Sequence, residues 1–184
     1  MSTAVLVADG LSDQGFEVRD PVMENLHFLK VINARHAYCE ITITETGAVT
    51  WEYRRYDGRL GSAQIIAIVM CVLGLGSDGC RDETLTDQPG RTLKGIVGSA
   101  LRERGMKVGI EILDPDDFCE LDAEVSVTNP AMPSRGAVRV NDEGMVLWDC
   151  RLAESGAAGG GGITLAELVQ TIADALAVAG QDAR

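Results

Sequence analysis

Two segments of the chain share one pattern, and they constrain the fold more than any other feature. "GAVTWEYR" (47–54) and "GMVLWDCR" (144–151) each begin with glycine, have tryptophan at the fifth position and end with arginine. These are the only two tryptophans in the 184 residues. The pattern predicts one structural unit that occurs twice.

The match extends beyond these segments when the chain is shifted by 97 residues. Alternate positions (41, 43, 49, 51 and 53) are apolar in both copies, on either side of a turn. This alternation is typical of a β-hairpin with one buried face. The turns "TETG" (44–47) and "NDEG" (141–144) both end in glycine, the residue that best tolerates the left-handed position of a G1 bulge.

A short amphipathic helix is predicted upstream of each hairpin. Ser2 and Thr92 are suitable N-cap residues, and Gly15 and Gly105 stand where the helices would end. Each helix is followed by a short apolar segment, "FEVRD" or "MKVGIEI", which predicts a strand.

A second helix is predicted downstream of each hairpin, roughly over 62–74 and 164–179. Thr164 and Glu167 have the spacing of a capping box. The helix over 62–74 is apolar nearly all round, so we expect it to be buried on more than one side and to pack the two halves together.

The order of these elements predicts an α+β fold made of two similar α-β-β-β-α halves, related by internal duplication, with antiparallel sheets flanked by helices. The first half spans 1–76 and the second spans 91–184, with a linker over 77–90. One compact pseudo-symmetric domain is the alternative arrangement.

Composition limits the partners and the compartment. A net charge of −12 disfavours nucleic acid, because phosphate binding needs a cationic surface. The longest apolar run (63–76) is too short to span a bilayer, and the N-terminal segment lacks the basic region of a signal peptide. The five cysteines form no CxxC pair. These features predict a cytoplasmic protein with reduced cysteines and no membrane partner.

Three motifs that could bind a cofactor or a metal are better explained as structure. "GLGSDG" (74–79) matches GxGxxG but follows a helix instead of a strand, so a helix-ending glycine is favoured. His36 and Cys39 supply only two of the ligands that zinc requires. The acidic loop with Asp114, Asp116 and Asp117 lacks EF-hand spacing, and its ability to bind a cation is left open.

Catalytic patterns are also weak. The chain contains no G-x-S-x-G motif, and the matched acids Glu52 and Asp149 face solvent by strand alternation. "EYRRYDGR" (52–59) is the densest basic patch and could meet an acidic partner or a phosphate, but a solvated face is favoured. The sequence predicts no enzyme, no catalytic, cofactor-binding or metal-binding residue, and no cofactor. The shared Arg54 and Arg151 are assigned no role.

The order of elements resembles the type III secretion chaperone-like fold and the bacterial sensory-regulator family built on it. The resemblance is carried by Gly15-Phe16 after the first helix and by the Gly-x-x-x-Trp hairpin beginning at Gly47. Short actinobacterial proteins with this hairpin are similar. The resemblance implies that the sheet and helices serve dimerisation and peptide binding.

Together these features predict a non-enzymatic, cytoplasmic protein-binding module, chaperone- or adaptor-like, with a protein partner or self-association. The alternative is a small-molecule-binding or enzymatic domain with a pocket between the halves, lined by His27, His36 or the acids at 114–117. A third hypothesis is a structural subunit that dimerises through the helix over 62–74.

Overall fold

The computed structural model of the chain describes residues 2–19, 27–33, 37–55, 60–75, 91–112, 123–153 and 161–179. In the first half these residues form α1 (Thr3–Asp13), β1 (Glu17–Arg19), β2 (His27–Asn33), β3 (Ala37–Ile43), β4 (Ala48–Arg55) and α2 (Ser62–Val72). In the second half they form α3 (Leu93–Glu103), β5 (Lys107–Ile112), β6 (Ala123–Thr128), β7 (Ala137–Val140), β8 (Val146–Arg151) and α4 (Leu165–Ala179).

The eight strands form one antiparallel sheet in the order β1-β2-β3-β4-β8-β7-β6-β5. The halves therefore join where β4 pairs with β8, which we call the seam. Register at the seam places Trp51 opposite Trp148 and Val49 opposite Cys150. Both tryptophan side chains are fully buried. The α+β class predicted from the sequence is confirmed.

Both predicted hairpins are present with matching register. Ile41 pairs with Trp51 across β3 and β4, and Val138 pairs with Trp148 across β7 and β8. Gly47 and Gly144 have φ of +76° and +78°, the left-handed backbone that a G1 bulge requires. The alternation in these segments therefore predicted the buried face correctly.

Two details of the predicted fold are wrong. Each half has four strands instead of three, and the strands form one sheet instead of two. The prediction did not include β2 and β6. Of their residues whose burial is described, Leu29, Val31, Val125 and Val127 lie on the apolar face. β2 (HFLKVIN) has adjacent apolar residues that break strict alternation, and the alternation of β6 (AEVSVT) is short. Pairing across the seam is a non-local contact that periodicity within each half does not report.

The four helices cover one face of the sheet. Contacts between helices run from α1 to α4, from α4 to α2 and from α2 to α3, and α1 and α3 also contact the strands of their own halves. Both outer helices thus pack against a helix of the opposite half. As predicted, α2 is buried on several sides, and its contacts with α3 and α4 hold the halves together. In the hypothesis of dimerisation through this helix, α2 would contact a second chain. In the structure, α3 and α4 of the same chain cover that surface of α2.

Local signals placed the helix ends correctly. The Ser2 and Thr92 hydroxyls accept from the backbone N–H of Val5 and Gly95. Gly15 and Gly105 follow their helices with φ of +89° and +83°. Leu60 and Ile163, each 1% exposed, anchor the chain just before α2 and α4.

The capping box of α4 makes stability depend on pH. Glu167 accepts from the backbone N–H of Thr164 at 2.7 Å and from its hydroxyl at 2.9 Å. These hydrogen bonds, with the backbone contribution first, lower the pKa of Glu167. The charged form therefore stabilises the fold above the unfolded-state pKa of about 4.3, and this contribution disappears as pH falls through the lower folded-state pKa.

We expect Glu167→Gln to reduce the free energy of unfolding at pH 7, with the deficit shrinking as pH falls from about 5 towards 3. Urea titrations of both proteins across this range would measure it. Glu103→Gln, at the opposite end of a helix, is the matched control, since its carboxylate caps no helix N-terminus. A deficit for Glu167→Gln that stays constant with pH would contradict the capping argument.

Candidate functional site

The side of the sheet opposite the helices, here called the open face, carries polar residues across its width. One row of paired positions runs Lys30, Glu40, Glu52, Leu147, Arg139 and Ser126 from β2 to β6. Most of these side chains are half-buried by one another. None of the described helices packs on this side, so the open face is accessible to another molecule.

A hydrogen-bonded network crosses the seam on the open face. The Arg139 guanidinium donates to Asp149 Oδ2 at 3.0 Å and to Glu124 Oε2 at 3.2 Å. The Thr50 hydroxyl donates to Asp149 Oδ1 at 2.9 Å. Glu124 is only 4% exposed, and Arg139 compensates its buried charge. The network fixes side chains of β4, β8, β7 and β6 in one arrangement.

The matched acids Glu52 and Asp149 lie on the open face, as alternation predicted, but they do not face each other. Register places Glu52 opposite Leu147 and Asp149 opposite Thr50. Each acid has its own cation, since Glu52 forms an ion pair with Arg54 and Asp149 with Arg139. The arrangement balances surface charge, and it does not juxtapose two carboxyl groups for acid–base chemistry. Arg54 therefore acquires a role that the sequence did not supply, whereas Arg151 is exposed.

A small cavity of about 150 Å³ lies at the seam between the halves. Its lining comes from the end of β4 and from the turn between β7 and β8, with the residues Arg54, Arg55, Glu143, Gly144 and Met145. Pockets for small molecules usually measure ~300–1,000 Å³. The lining includes none of the residues predicted for a pocket between the halves.

Most of the other sequence-based site residues lie outside the part of the chain that the structure describes. The backbone of His27 lies on β2. His36, Arg59 and the acids Asp114, Asp116 and Asp117 lie outside the described residues, as do Cys80, Cys119 and the linker over 77–90. Within the described ranges, no three His, Cys, Asp or Glu side chains come close enough to hold a metal ion.

The GxGxxG match begins as a helix end. Gly74 follows α2 with φ of +84°, and its N–H donates to the carbonyl of Cys71. This confirms the interpretation of its first glycine as a helix terminator, while Gly79 lies outside the described residues.

The sequence did not predict the Glu124–Arg139 ion pair. Because β6 was not predicted, nothing indicated that these two residues were neighbours.

Two cysteines occupy the core under the sheet. Burial raises the pKa of Cys39 to about 12, and the neighbouring Trp51 indole N–H offsets only part of this effect. Burial, and then the charge of Asp149, raise the pKa of Cys150 to about 12 as well. The thiolate is the nucleophilic form, so neither cysteine suits catalysis at neutral pH.

We expect Cys39 and Cys150 to resist alkylation in the folded protein at pH 8, where only about 1 thiol in 10,000 would be ionised. Iodoacetamide labelling followed by peptide mass spectrometry would measure this at each cysteine. The same reaction in 6 M urea provides the control, because unfolding returns both thiols to their ordinary pKa. Rapid labelling of either residue in the folded state would contradict its placement in the core.

Comparisons of the chain with protein-family models, with curated proteins and with solved structures return no match. Among the described helices, none has both the length and the apolar character needed to cross a membrane.

Proposed function

We propose that the chain is a non-enzymatic, cytoplasmic protein-binding module, chaperone- or adaptor-like, that binds its partner on the open face. The observation that carries this proposal is the arrangement of one wide sheet with all the described helices on a single side. Mixed, largely paired charges line the other side of the sheet. Such a surface suits the polar backbone and varied side chains of a protein segment.

The geometry of the seam supports the proposal. The side chains of Thr50, Asp149 and Arg139 are held in one network, so a partner would meet a preorganised surface. Leu147 lies among them and is only 8% exposed, so its apolar side chain packs beneath the polar groups and supports them from below.

We also infer that the two halves are copies of one α+β unit. The support is the repeated order of helix, four strands and helix, together with two tryptophan hairpins of the same register. In this view the seam takes the place of a dimer interface between two such units. The similarity to type III secretion chaperone-like proteins remains part of this proposal.

The alternative, a small-molecule-binding or enzymatic domain, would use the cavity at the seam. Two arginines, Arg54 and Arg55, favour a small anionic ligand there. Glu143 on the same wall and the small volume count against this function. The open face therefore supports protein binding more strongly.

Peptide binding can be tested by titrating the isotopically labelled protein with a panel of synthetic peptides and recording amide NMR shifts. We expect at least one peptide to bind saturably and to shift amides of the central strands more than those of the helices. Glu40→Lys, on the open face, should change this affinity, while Glu103→Lys, on α3, should not. Thermal stabilisation by one compound of a metabolite panel, with no saturable peptide, would overturn the proposal.

A further inference from the structure

The two edges of the sheet differ in length and in charge pairing. β1 has three residues, and its Glu17 and Arg19 already form an ion pair at 2.7 Å. β5 has six residues, Lys107–Ile112, and no described residue pairs with its outer side. Long exposed edges are usually protected, because their unpaired N–H and C=O groups attract another strand. The β5 edge is therefore the one able to extend the sheet.

We propose that two copies of this chain associate by antiparallel pairing of their β5 strands. A two-fold axis perpendicular to the sheet would join the two sheets edge to edge, with the helices of both copies on the same side. Residues directly opposite each other must then point to the same face, so each odd position pairs with an odd position. Only two registers satisfy this condition and keep five residue pairs within β5, one centred on Gly109 and one on Ile110.

The register centred on Gly109 is self-complementary. It places Lys107 opposite the partner's Glu111, and the symmetry repeats this pair on the other side of the axis. It also places Val108 opposite the partner's Ile110 twice. The register centred on Ile110 would instead place Glu111 opposite the partner's Gly109 and would pair no charges. Opposite charges across two strands stabilise a pairing, and charge complementarity therefore selects the first register.

The surroundings of the edge accommodate this pairing. Lys107 is exposed and forms no ion pair with any described residue, so its charge is available to the partner. Gly109 is also exposed, and a Cβ added there would meet no atom within 4 Å. A side chain introduced at this position therefore has room above the sheet. Gly109 pairs with Ser126 and so lies at the margin of the open face, but the interface is formed by the outer backbone of β5 and not by the surface of the central strands. This proposal therefore does not depend on the proposed function.

Sedimentation equilibrium of the full chain and its charge variants tests the interface. We expect a concentration-dependent dimer whose dissociation constant rises about tenfold or more in Lys107→Glu and in Glu111→Lys, because each change creates two like-charge pairs. The double variant K107E/E111K restores both pairs, so its dissociation constant should return to within about threefold of the original. Glu17→Lys, on the opposite edge, is the matched control and should have no effect.

Disulfide trapping tests the register directly. In Gly109→Cys the two new thiols face each other across the axis, and mild oxidation should give a covalent dimer on non-reducing gels. In Lys107→Cys the two thiols lie four positions apart along the strands and should not cross-link beyond the wild-type background. A chain that stays monomeric at its highest soluble concentration would overturn the proposal. A dimer unaffected by the single charge changes, or not restored by the double variant, would overturn it equally, while peptide binding on the open face would stand.

Discussion

Replacing Trp51 or Trp148 with alanine should lower the free energy of unfolding by about 3–5 kcal/mol, the range for truncating a buried tryptophan. Both side chains are fully buried and lie opposite each other at the seam, where the two halves of the sheet join. Each truncation would leave a void under the central strands. Urea unfolding followed by circular dichroism would measure the loss.

Phenylalanine substitutions should separate the two tryptophans. The Trp148 indole N–H donates to the carbonyl oxygen of Arg135 at 2.6 Å, whereas Trp51 Nε1 has no hydrogen bond of normal geometry. We therefore expect Trp148→Phe to cost about 1 kcal/mol more than Trp51→Phe, because it leaves the Arg135 carbonyl without its donor. The two changes remove the same atoms, so each is the matched control of the other. Equal losses would show that the Arg135 hydrogen bond contributes nothing.

Gly136→Ala should reduce stability by at least ~3 kcal/mol, since it combines backbone strain with a steric clash. Gly136 has φ of +75° and ψ of −147°, a conformation essentially restricted to glycine. An added Cβ would clash with the carbonyl oxygen of Asp149, on the neighbouring strand β8. The strand would have to move, and with it the network between Asp149 and Arg139.

The matched control for this change is Gly105→Ala. Gly105 also has a positive φ, of +83°, but a Cβ there meets no atom within 4 Å. Its loss should be about 1 kcal/mol, the cost of left-handed backbone alone. The difference between the two variants, measured by chemical denaturation, isolates the clash with β8. Similar losses for both would contradict the close approach at Gly136.

The features predicted correctly from the sequence are those in which neighbouring residues carry the signal. Turn glycines such as Gly47, caps such as Ser2 and the alternation around Trp51 each depend on a few consecutive positions. The pairing of β4 with β8 depends on residues nearly a hundred positions apart, and neither strand alone indicates its neighbour. The Glu124–Arg139 ion pair was also missed, because it required the position of β6, a short strand that was not predicted.

The open face was predicted in outline only. Alternation placed Glu52 and Asp149 on the solvent side, and the structure agrees. The partners of these acids follow from side-chain reach and register, which residue types do not reveal. Arg54 folds back on Glu52 within its own strand, whereas Arg139 reaches two acids on neighbouring strands.

The packing of α1 and α3 against helices of the opposite half couples the unfolding of the two halves. Because α1 packs on α4 and α3 packs on α2, neither half can lose its structure without exposing apolar surface of the other. A half separated from its counterpart would also present an unpaired central strand, β4 or β8, with a tryptophan on its apolar face. Separation of the halves therefore exposes apolar surface on both of them, and the intact seam protects the molecule from the edge-to-edge aggregation that a half-open state would invite.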